Sequence, residues 1–365
     1  MRIPALVLAL LLAVAVTGPA RAETVAEVEL AWRDWMTRSN RSAGGLAVMR
    51  GGRLVHEATM GREQAGVAVP LASLSKAVTG VCVAGLVERG RLAFDTPLSQ
   101  ALARTFARLG APADPRMPDV TIGQLLVHRA GFDRSEGGDP VTGRLGAYLR
   151  SATATRPSID EQMAWVLRRR LPLAPGERFA YTNAAYLVLG AVIEEASGQD
   201  YEGHCRNTVL TPLGVRAAAL NPAWRILASY GGWRMPLADY GRFYQAFALG
   251  NPAIGPVARA WMMSPDLIST GGKTLGGGAH YGLGTFVRPT SNGGGNFWHA
   301  GKSVYDLPAA FDGPLKLSFS SYALRLGALD VDIVLHVRPA LGEDASFGEL
   351  DRALGEAARG VTRWP

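Results

Sequence analysis

The pattern of apolar and polar positions divides the chain into strand-rich ends and a helical middle. Near the start, two strand-like runs flank Gly51 and Gly52 in GLAVMRGGRLVHEATMG, which predicts a β-hairpin. The segment 73–87 is apolar on nearly every face and is followed by Gly90. This pattern is typical of a buried central helix with a glycine just past its end.

Helical patterns continue to about residue 265, and NAAYLVLGAVIEEASG predicts a helix that ends at Gly198. Strand-like runs follow in YGLGTFVRP, NFWHAG, LKLSFSSYALRL and VDIVLHVRP. We therefore expect a mixed α/β (α+β) fold whose antiparallel sheet is built from both ends of the chain. The sheet lobe comprises residues 23–70 and 270–365, and a mainly helical lobe, 71–269, is inserted between them.

The first 22 residues have the features of a secretory signal peptide. Arg2 supplies the charged start, ALVLALLLAVAV the apolar stretch, and ARA the small-residue cleavage site before Glu23. The apolar stretch is short for a membrane span and no lipid-anchor cysteine follows it, so we expect cleavage after Ala22 and a periplasmic or secreted product. An uncleaved anchor is the alternative.

Charge and cysteine content add two constraints. Without the signal segment, 36 basic and 31 acidic residues remain, a net charge of +5 spread along the chain without a basic run, which does not favour nucleic acid as a partner.

Cys82 and Cys205 are the only cysteines. An oxidising compartment permits a bridge between them, but both lie in apolar helical patterns that suit buried free thiols, and free thiols are the favoured interpretation.

A serine and a lysine lie close together in PLASLSKAVTG, residues 70–80. A serine hydroxyl is a weak nucleophile that needs an adjacent base. If Ser73 opens the helix, Lys76 lies on the same face, whereas Ser75 points away and packs or bonds locally. S-x-x-K alone is a weak motif, and a helix cap followed by a surface lysine is the alternative. Only four of the 38 basic residues are lysines, and arginine cannot act as a base, so Lys76 in an apolar helix favours catalysis.

Two further motifs acquire meaning in combination. Tyr181 and Asn183 precede a helix in FAYTNAAY; the structural alternative is that Tyr181 is an aromatic packing residue and Asn183 an N-cap. His299 lies on a predicted strand in NFWHAGK. Together with SLSK, and in this order, these motifs resemble the serine beta-lactamase and penicillin-binding-protein superfamily. The resemblance is to the branch of class C beta-lactamases, DD-peptidases, esterases and D-aminopeptidases. It covers most of the mature chain, including GRLAFDTPL, VTIGQLLVHRAGF and GGWRMPLADYGRFYQAF.

The resemblance implies a beta-lactamase/transpeptidase-like fold and an acyl-enzyme mechanism without metal or cofactor. It implies Ser73 as the nucleophile and Lys76 as its partner in proton transfer. Tyr181, held at or near its phenolate by Lys76, is implied as the general base that also protonates the leaving group, and Asn183 as the residue that orients the substrate and the lysine.

The resemblance also assigns the third motif. His299 stands where class C beta-lactamases carry a lysine, and the backbone N–H groups of Ser73 and Lys302 are implied as the oxyanion hole. Gly301 lies where a substrate backbone approaches closely. A histidine in this motif resembles the peptidases and esterases more than the beta-lactamases. The stretch KSVYDLPAAFDGPLKLSF departs from the family pattern, and Lys302 adds a positive charge suited to an acidic substrate or a carboxylate.

We therefore expect an exported serine hydrolase that acts on a carboxylic ester or an amide, such as a D-amino-acid peptide. Its partner is a small-molecule or peptide substrate, including peptidoglycan fragments. A class C-type beta-lactamase or a penicillin-binding DD-carboxypeptidase is the alternative. A non-catalytic relative that binds peptidoglycan or a protein partner is the alternative from another class. The sequence contains no G-x-S-x-G elbow, no phosphate-binding loop and no Cys/His metal motif.

Overall fold

The protein is described by a computed structural model over residues 24–134, 139–142, 159–220, 227–264, 278–307, 315–342 and 347–365. The predicted signal peptide lies outside these ranges, and its assignment stays a prediction. The helices of the described residues are α1 (Ala26–Arg38), α2 (Ser75–Glu88), α3 (Leu98–Ala101), α4 (Ala103–Leu109), α5 (Ile122–Leu126), α6 (Ile159–Leu167), α7 (Asn183–Ser197), α8 (Tyr201–Cys205), α9 (Ala228–Gly231), α10 (Leu237–Tyr244), α11 (Pro256–Met262) and α12 (Gly348–Gly360). The strands are β1 (Ala43–Arg50), β2 (Arg53–Met60), β3 (Val69–Pro70), β4 (Ala219–Leu220), β5 (Trp233–Met235), β6 (His280–Gly282), β7 (Thr285–Pro289), β8 (Gly295–Leu307), β9 (Leu315–Leu326) and β10 (Val331–Arg338).

The main sheet joins strands from both ends of the chain. Its order is β2-β1-β10-β9-β8-β7-β6, and every neighbouring pair is antiparallel. The hairpin β1–β2 turns at Gly51 and Gly52, which have φ of +55° and +74°, values that a two-residue hairpin turn requires and that glycine adopts without strain. Since β1 pairs along its whole length with β10, the predicted sheet built from both termini is confirmed.

The main sheet is covered on both faces. On one face α1 and α12 pack together, and residues four apart on each helix are buried: Val28, Trp32 and Met36 on α1, and Leu350, Leu354 and Ala358 on α12. The other face packs against the helical lobe. Side chains alternate along a strand. Leu46 and Val48 therefore belong to the hydrophobic core beneath α1 and α12, whereas Ala47 belongs to the core shared with the helical lobe.

The buried helix α2 carries the predicted serine–lysine motif. It begins at Ser75, and a 3₁₀ turn, Ala72–Leu74, precedes it. The expectation that Ser73 opens the α-helix is therefore wrong in detail, since Ser73 lies inside the 3₁₀ turn. The predicted end is confirmed, because the helix stops at Glu88 and Gly90 has a φ of +64°.

A second sheet of three short strands, in the order β3-β5-β4, anchors the segment before α2. Val69 and Pro70, the last residues of the predicted sheet lobe, pair with β5 and not with the main sheet. The N–H of Leu71 donates to the carbonyl of Trp233 at 3.0 Å, and the N–H of Trp233 donates to Ser75 Oγ at 3.1 Å. This sheet thus holds the chain on both sides of Ser73. Ser75 is buried as expected, but its hydrogen bond is to the backbone of a residue 158 positions away and not to a local partner.

The turn between β6 and β7 presses against the middle of α2. A Cβ built on Gly80 of α2 would lie 2.2 Å from the carbonyl oxygen of Leu283. A Cβ built on Gly284 would lie 2.1 Å from the carbonyl oxygen of Lys76, and Gly284 has a φ of +82°. Glycine is therefore required at both positions. The turn contacts the backbone of α2 at Lys76 and so fixes the position of this residue.

Cys82 and Cys205 form a disulfide that ties α2 to the end of α8, with 5.6 Å between their Cα atoms. The favoured interpretation of two free thiols is therefore wrong. The sequence showed two apolar helices but not that their cysteine positions face each other, and only that geometry makes the bond.

In the described part of the chain, no helix is long and apolar enough to cross a bilayer.

Candidate active site

Lys76 is the centre of a hydrogen-bonded cluster in which α2, α7 and α9 meet. Its Nζ donates to Ser73 Oγ at 3.1 Å, to Asn183 Oδ1 at 2.7 Å and to the backbone oxygen of Tyr230 at 2.9 Å. An ammonium has three N–H donors, and these acceptors satisfy all of them. The side chain has no exposed surface. The structure therefore brings together Ser73, Lys76 and Asn183, as the sequence predicted.

Burial changes the acidity of this lysine. Removal from water disfavours the ammonium and lowers the pKa of Lys76 to about 7, although the carboxylate of Asp139 opposes the shift. Arg134 lowers the pKa further through charge repulsion. At neutral pH a large fraction of the side chain is an uncharged amine within hydrogen-bond distance of Ser73 Oγ, which is the state a general base requires.

Tyr181 lies beside Lys76 and near Ser73. Its ring centroid is 4.8 Å from Lys76 Nζ, and its hydroxyl is close enough to the Ser73 side chain to interact with it. Burial raises the pKa of the phenol above its ordinary value, and the interaction with Ser73 only partly offsets that effect. The expectation of a phenolate is therefore wrong for this site at rest, because Tyr181 is a neutral phenol that can donate a proton.

Asn183 is the first residue of α7, and its side chain is used for Lys76 and not for capping. Its Nδ2 donates to Thr142 Oγ1 at 2.8 Å, so both ends of the amide are held. The cap comes from another loop: Asp139 accepts the backbone N–H of Asn183 through Oδ2, and those of Val141 and Thr142 through Oδ1. A carboxylate at a helix N-terminus is electrostatically favourable. Sequence reasoning missed Asp139, whose only signal is the turn-forming sequence GDPVTG.

His299 lies on β8 and faces the cluster in an uncharged form. Its Nδ1 is 2.7 Å from the backbone oxygen of Ala300, so this nitrogen carries the proton, and its Nε2 accepts from the hydroxyl of Tyr281 at 2.9 Å. Burial, reinforced by the charge of Lys76, lowers the pKa of His299 to about 3. The tyrosine comes from YGLGTFV, a motif that the sequence marked without assigning a role to this residue.

His128 packs against Tyr181 and supports the start of α7. Its ring centroid is 4.3 Å from that of Tyr181, and its Nδ1 accepts the backbone N–H of Thr182 at 3.3 Å. Burial lowers the pKa of His128 well below its ordinary value. The side chain is thus a neutral packing group that fixes the start of α7.

Gly301 allows β8 to touch the turn that carries Ser73. A Cβ built on Gly301 would lie 2.4 Å from the carbonyl oxygen of Leu71 and 3.1 Å from the backbone nitrogen of Ser73. The hydroxyl of Ser321, on the neighbouring strand, donates to the same Leu71 oxygen at 2.7 Å. The preceding Ala72 has a φ of +48°, a left-handed conformation that costs a residue with a Cβ about 1–2 kcal/mol. Strand β8 and the small sheet together stabilise this strained turn.

Lys302 points away from the cluster. Side chains alternate along β8, so His299 and Ser303 are buried toward the helical lobe while Lys302 and Val304 are exposed on the other face. The Lys302 Nζ donates to the backbone oxygen of Gly342 at 3.3 Å. The expectation that the Lys302 side chain adds a positive charge to the substrate site is therefore wrong. Its backbone N–H, beside Gly301, remains the predicted oxyanion-hole donor.

A different cation lies at the mouth of the site. The guanidinium carbon of Arg134 is 5.7 Å from the ring centroid of Tyr181, and the side chain is exposed. Its charge acts on Lys76, Tyr181 and His128. Sequence reasoning missed this residue, because an arginine in a loop of an arginine-rich chain gives no signal of its own.

Comparison with known families matches residues 31–312 to the beta-lactamase family. The chain belongs to this family. Esterase EstB of Burkholderia gladioli is 36% identical over 179 residues, which make up 48% of this chain and 42% of the esterase. The D-alanyl-D-alanine-carboxypeptidase/endopeptidase AmpH of Escherichia coli (strain K12) is 26% identical over 167 residues, or 44% of this chain and 39% of AmpH. The matched stretches thus span about two fifths of the length of these curated relatives.

Solved structures show the same beta-lactamase-like fold. A D-stereospecific amidohydrolase from a Streptomyces species superposes with a TM-score of 0.69 at 18% identity, covering 91% of this chain and 98% of its own. A beta-lactamase/D-alanine carboxypeptidase from Yersinia pestis gives a TM-score of 0.68 at 18% identity, with 92% and 98% coverage. The predicted fold class is therefore confirmed.

Proposed function

We propose that this member of the beta-lactamase family is a serine hydrolase that cleaves carboxylic esters through an acyl-enzyme on Ser73. The observation that carries the proposal is the buried Lys76, whose Nζ is 3.1 Å from Ser73 Oγ and whose pKa is lowered to about 7. A structural lysine has no need of a shifted pKa next to a serine hydroxyl, whereas a base that activates a nucleophile does.

Acylation follows from these positions. The uncharged amine of Lys76 accepts the proton of Ser73 while Oγ attacks the carbonyl carbon of the ester. The oxyanion that forms is stabilised by the backbone N–H groups of Ser73 and Lys302. The first N–H groups of a helical segment have no acceptor within the helix, so that of Ser73 is available to the substrate. Asn183 and the Tyr230 carbonyl then hold the new ammonium of Lys76 in place.

The leaving group takes its proton from Tyr181. Because this phenol is neutral at rest and contacts Ser73, it can protonate the departing alkoxide as the bond from the carbonyl carbon to oxygen breaks. Lys76 then passes the proton that it took from Ser73 to Tyr181. Both groups are restored, and the acyl-enzyme remains. Hydrolysis repeats the sequence in reverse with water in place of the alcohol.

The described part of β8 offers a place for the acyl portion of the substrate. This strand pairs with β9 along its length but with β7 only through Gly295–Trp298, so among the described residues its edge from His299 onward has no partner strand on that side. An extended substrate can pair with this edge next to Gly301. With His299 uncharged and the ammonium of Lys302 on the other face, the described part of this strand presents no cation to the substrate, which favours an uncharged ester over a carboxylated beta-lactam.

Arg134 supports a second candidate, the hydrolysis of an amide whose leaving group ends in a carboxylate. Its exposed guanidinium lies beside the ring of Tyr181, the proposed donor to the leaving group. Guanidinium groups bind carboxylates in a bidentate manner. A D-amino-acid peptide or a fragment of peptidoglycan has such a carboxylate.

We also propose that the protein is exported to the periplasm or the medium. The features of residues 1–22 support this location, and a disulfide between Cys82 and Cys205 is the kind of bond that persists in an oxidising compartment.

The experiment is to assay the purified protein on p-nitrophenyl butyrate and on a peptide that ends in D-alanine, with Ser73→Ala and Arg134→Ala variants. We expect Ser73→Ala to lose the activity on both substrates while its thermal unfolding stays unchanged. Arg134→Ala should keep the ester activity and, if the amide is a substrate, lose peptide activity by about tenfold or more. Ester turnover that survives Ser73→Ala contradicts the proposal.

A further inference from the structure

A groove runs along the face of the main sheet that is opposite to Ser73. It lies between the outer side of β7, β8 and β9 and the C-terminal helix α12, and its volume is about 910 Å³. This is within the range of sites that bind small molecules or short peptides, which is about 300–1,000 Å³. Gly301 and Lys302 border both this groove and the site at Ser73, but the roles proposed above use only the backbone of these two residues.

Helix α12 lines the groove with alternating glycines and arginines. Gly348, Arg352, Gly355 and Arg359 follow one another at spacings of four, three and four residues, so they form a single stripe along one side of the helix. The two glycines carry no side chain into the groove, and the guanidinium of Arg359 lies against Gly355. Arg352 and Arg359 are exposed and lie seven residues apart, which corresponds to about 10 Å along the helix axis.

The strands supply an aromatic and cationic floor. Phe286 and Trp298 stack with 5.7 Å between their ring centroids, and the guanidinium carbon of Arg288 lies 5.2 Å from the Trp298 ring centroid. Leu324 and Leu341 also line the groove, so it has apolar surface beside its charges. A ligand that fits must therefore combine an apolar side chain with groups that accept hydrogen bonds.

The polar groups of the groove are mostly donors. Over the ranges that the structure covers, Arg288, Arg352 and Arg359 form no salt bridge with an acidic side chain. Lys302 contributes a fourth cation. The carboxylate of Asp351 is the exception, and its Oδ1 accepts the hydroxyl of Tyr322. Four cations against one occupied carboxylate select a ligand rich in negative charge.

We propose that this groove binds an acidic peptide segment, with carboxylates on Arg352 and Arg359 and an apolar side chain over the leucines and Trp298. A carboxylated glycan matches the charges but has no aliphatic side chain for the apolar floor, so the peptide is the better fit. Binding is electrostatic in large part and weakens as salt is added.

The proposal does not rest on the hydrolase activity proposed above, because the two sites use opposite faces of β8. The His299 side chain faces the site at Ser73, whereas the side chains of Trp298 and Lys302 line the groove, which Gly301 also borders. A binding measurement therefore tests the groove even in a protein without turnover.

The test is fluorescence anisotropy with a fluorescein-labelled octapeptide of sequence Glu-Ala-Leu-Glu-Glu-Leu-Ala-Glu, added to the full-length protein. We expect saturable binding that falls with salt, and affinity at least about tenfold lower for the same peptide with glutamine in place of glutamate. Arg352→Glu combined with Arg359→Glu should weaken binding by about tenfold or more.

Two further variants separate a specific groove from general attraction between charges. Arg53→Glu combined with Arg62→Glu reverses two exposed arginines outside the groove and should leave the affinity nearly unchanged. Gly355→Leu fills the groove without changing its charge, and a Cβ at this position meets only the end of the Arg359 side chain, at 3.4 Å, so the helix tolerates it. This variant should weaken binding as strongly as the charge reversal.

Three results overturn the proposal. The first is no saturable binding of the acidic peptide to the wild-type protein at millimolar concentration. The second is equal weakening by the control pair Arg53→Glu and Arg62→Glu, which indicates a diffuse electrostatic effect. The third is displacement of the peptide by polygalacturonate at a lower concentration of carboxylate than unlabelled peptide requires, which assigns the groove to a glycan.

Discussion

At the scale of single residues, the function depends on the protonation of Lys76. Burial lowers the pKa of this side chain to about 7, so the ammonium dominates below that pH and cannot accept the proton of Ser73. We expect kcat/KM for an ester to rise with pH and to level off above a midpoint near 7. A pH profile measured on p-nitrophenyl butyrate checks this.

Lys76→Arg is the matched variant for this profile. It keeps the positive charge but cannot lose its proton, so activity should be lost at every pH. A profile that is flat from pH 5 to 9 in the wild type, or an active arginine variant, shows that another group is the base.

Asp139 should set the position of that midpoint. Its carboxylate favours the ammonium of Lys76 and so raises the pKa of the lysine against the effect of burial. In Asp139→Asn the amide can still accept the backbone N–H of Asn183, but the charge is gone. We expect the acidic limb of the pH profile to move to lower pH, while a residue with only a structural role would lower the rate without moving the limb.

The sequence motifs in combination predicted Ser73, Lys76, Asn183 and His299, and the structure brings the first three together with His299 facing them. They did not reveal the protonation of Tyr181, which depends on burial by residues distant in sequence. They also did not reveal the direction of Lys302, which depends on which face of β8 meets the helical lobe.

At the scale of elements, the contact between the β6–β7 turn and α2 positions Lys76. Gly284→Ala places a methyl group 2.1 Å from the Lys76 carbonyl oxygen at a φ of +82°. Gly66→Ala is the matched control, since Gly66 has a φ of +72° with nothing within 4 Å. Both variants carry the backbone strain, but only the first carries the clash.

We expect Gly284→Ala to lower the free energy of unfolding by about 1–3 kcal/mol more than Gly66→Ala does. Its esterase activity should also fall, because the turn moves the backbone of Lys76. Urea unfolding and an ester assay on both variants measure the two effects. Equal losses in the two variants show that the turn does not press on α2 as described.

Local patterns predicted the elements that depend on local interactions. The hairpin at Gly51 and Gly52, the end of α2 at Gly90 and the end of α7 at Gly198 all follow from the left-handed conformation of glycine. The 3₁₀ turn at Ala72–Leu74 could not be predicted, because its left-handed Ala72 is stabilised by Ser321 and Trp233, which are far away in sequence.

At the scale of the whole molecule, the disulfide joins two cysteines that are 123 positions apart in the sequence, across the helical lobe. Cross-linking restricts the unfolded chain, and a native disulfide typically contributes about 2–4 kcal/mol. The double variant Cys82→Ala, Cys205→Ala should unfold at a lower urea concentration than the oxidised wild type. Addition of a reductant should lower the wild-type midpoint and leave that of the double variant unchanged. Equal midpoints for oxidised and reduced wild type contradict a stabilising bridge.

The overall architecture followed from the distribution of strands and helices along the chain, because a sheet with strands at both termini must bring them together. The disulfide and the small β3-β5-β4 sheet did not follow, since both depend on how separate helices and loops pack. The groove beside α12 also depends on packing: the sequence shows glycines and arginines at alternate turns of a helix but not the aromatic strand face opposite them.

The central claim is that Ser73 forms the acyl-enzyme, and rapid-quench mass spectrometry tests it most directly. The protein is mixed with p-nitrophenyl butyrate, quenched in acid within the first turnover, digested and mapped. The account predicts a butyryl group on the peptide that contains Ser73 and none on Ser73→Ala. A butyryl group on another residue, or rapid ester hydrolysis by the wild type with no acylated peptide while a known acyl-enzyme former is trapped under the same conditions, contradicts it.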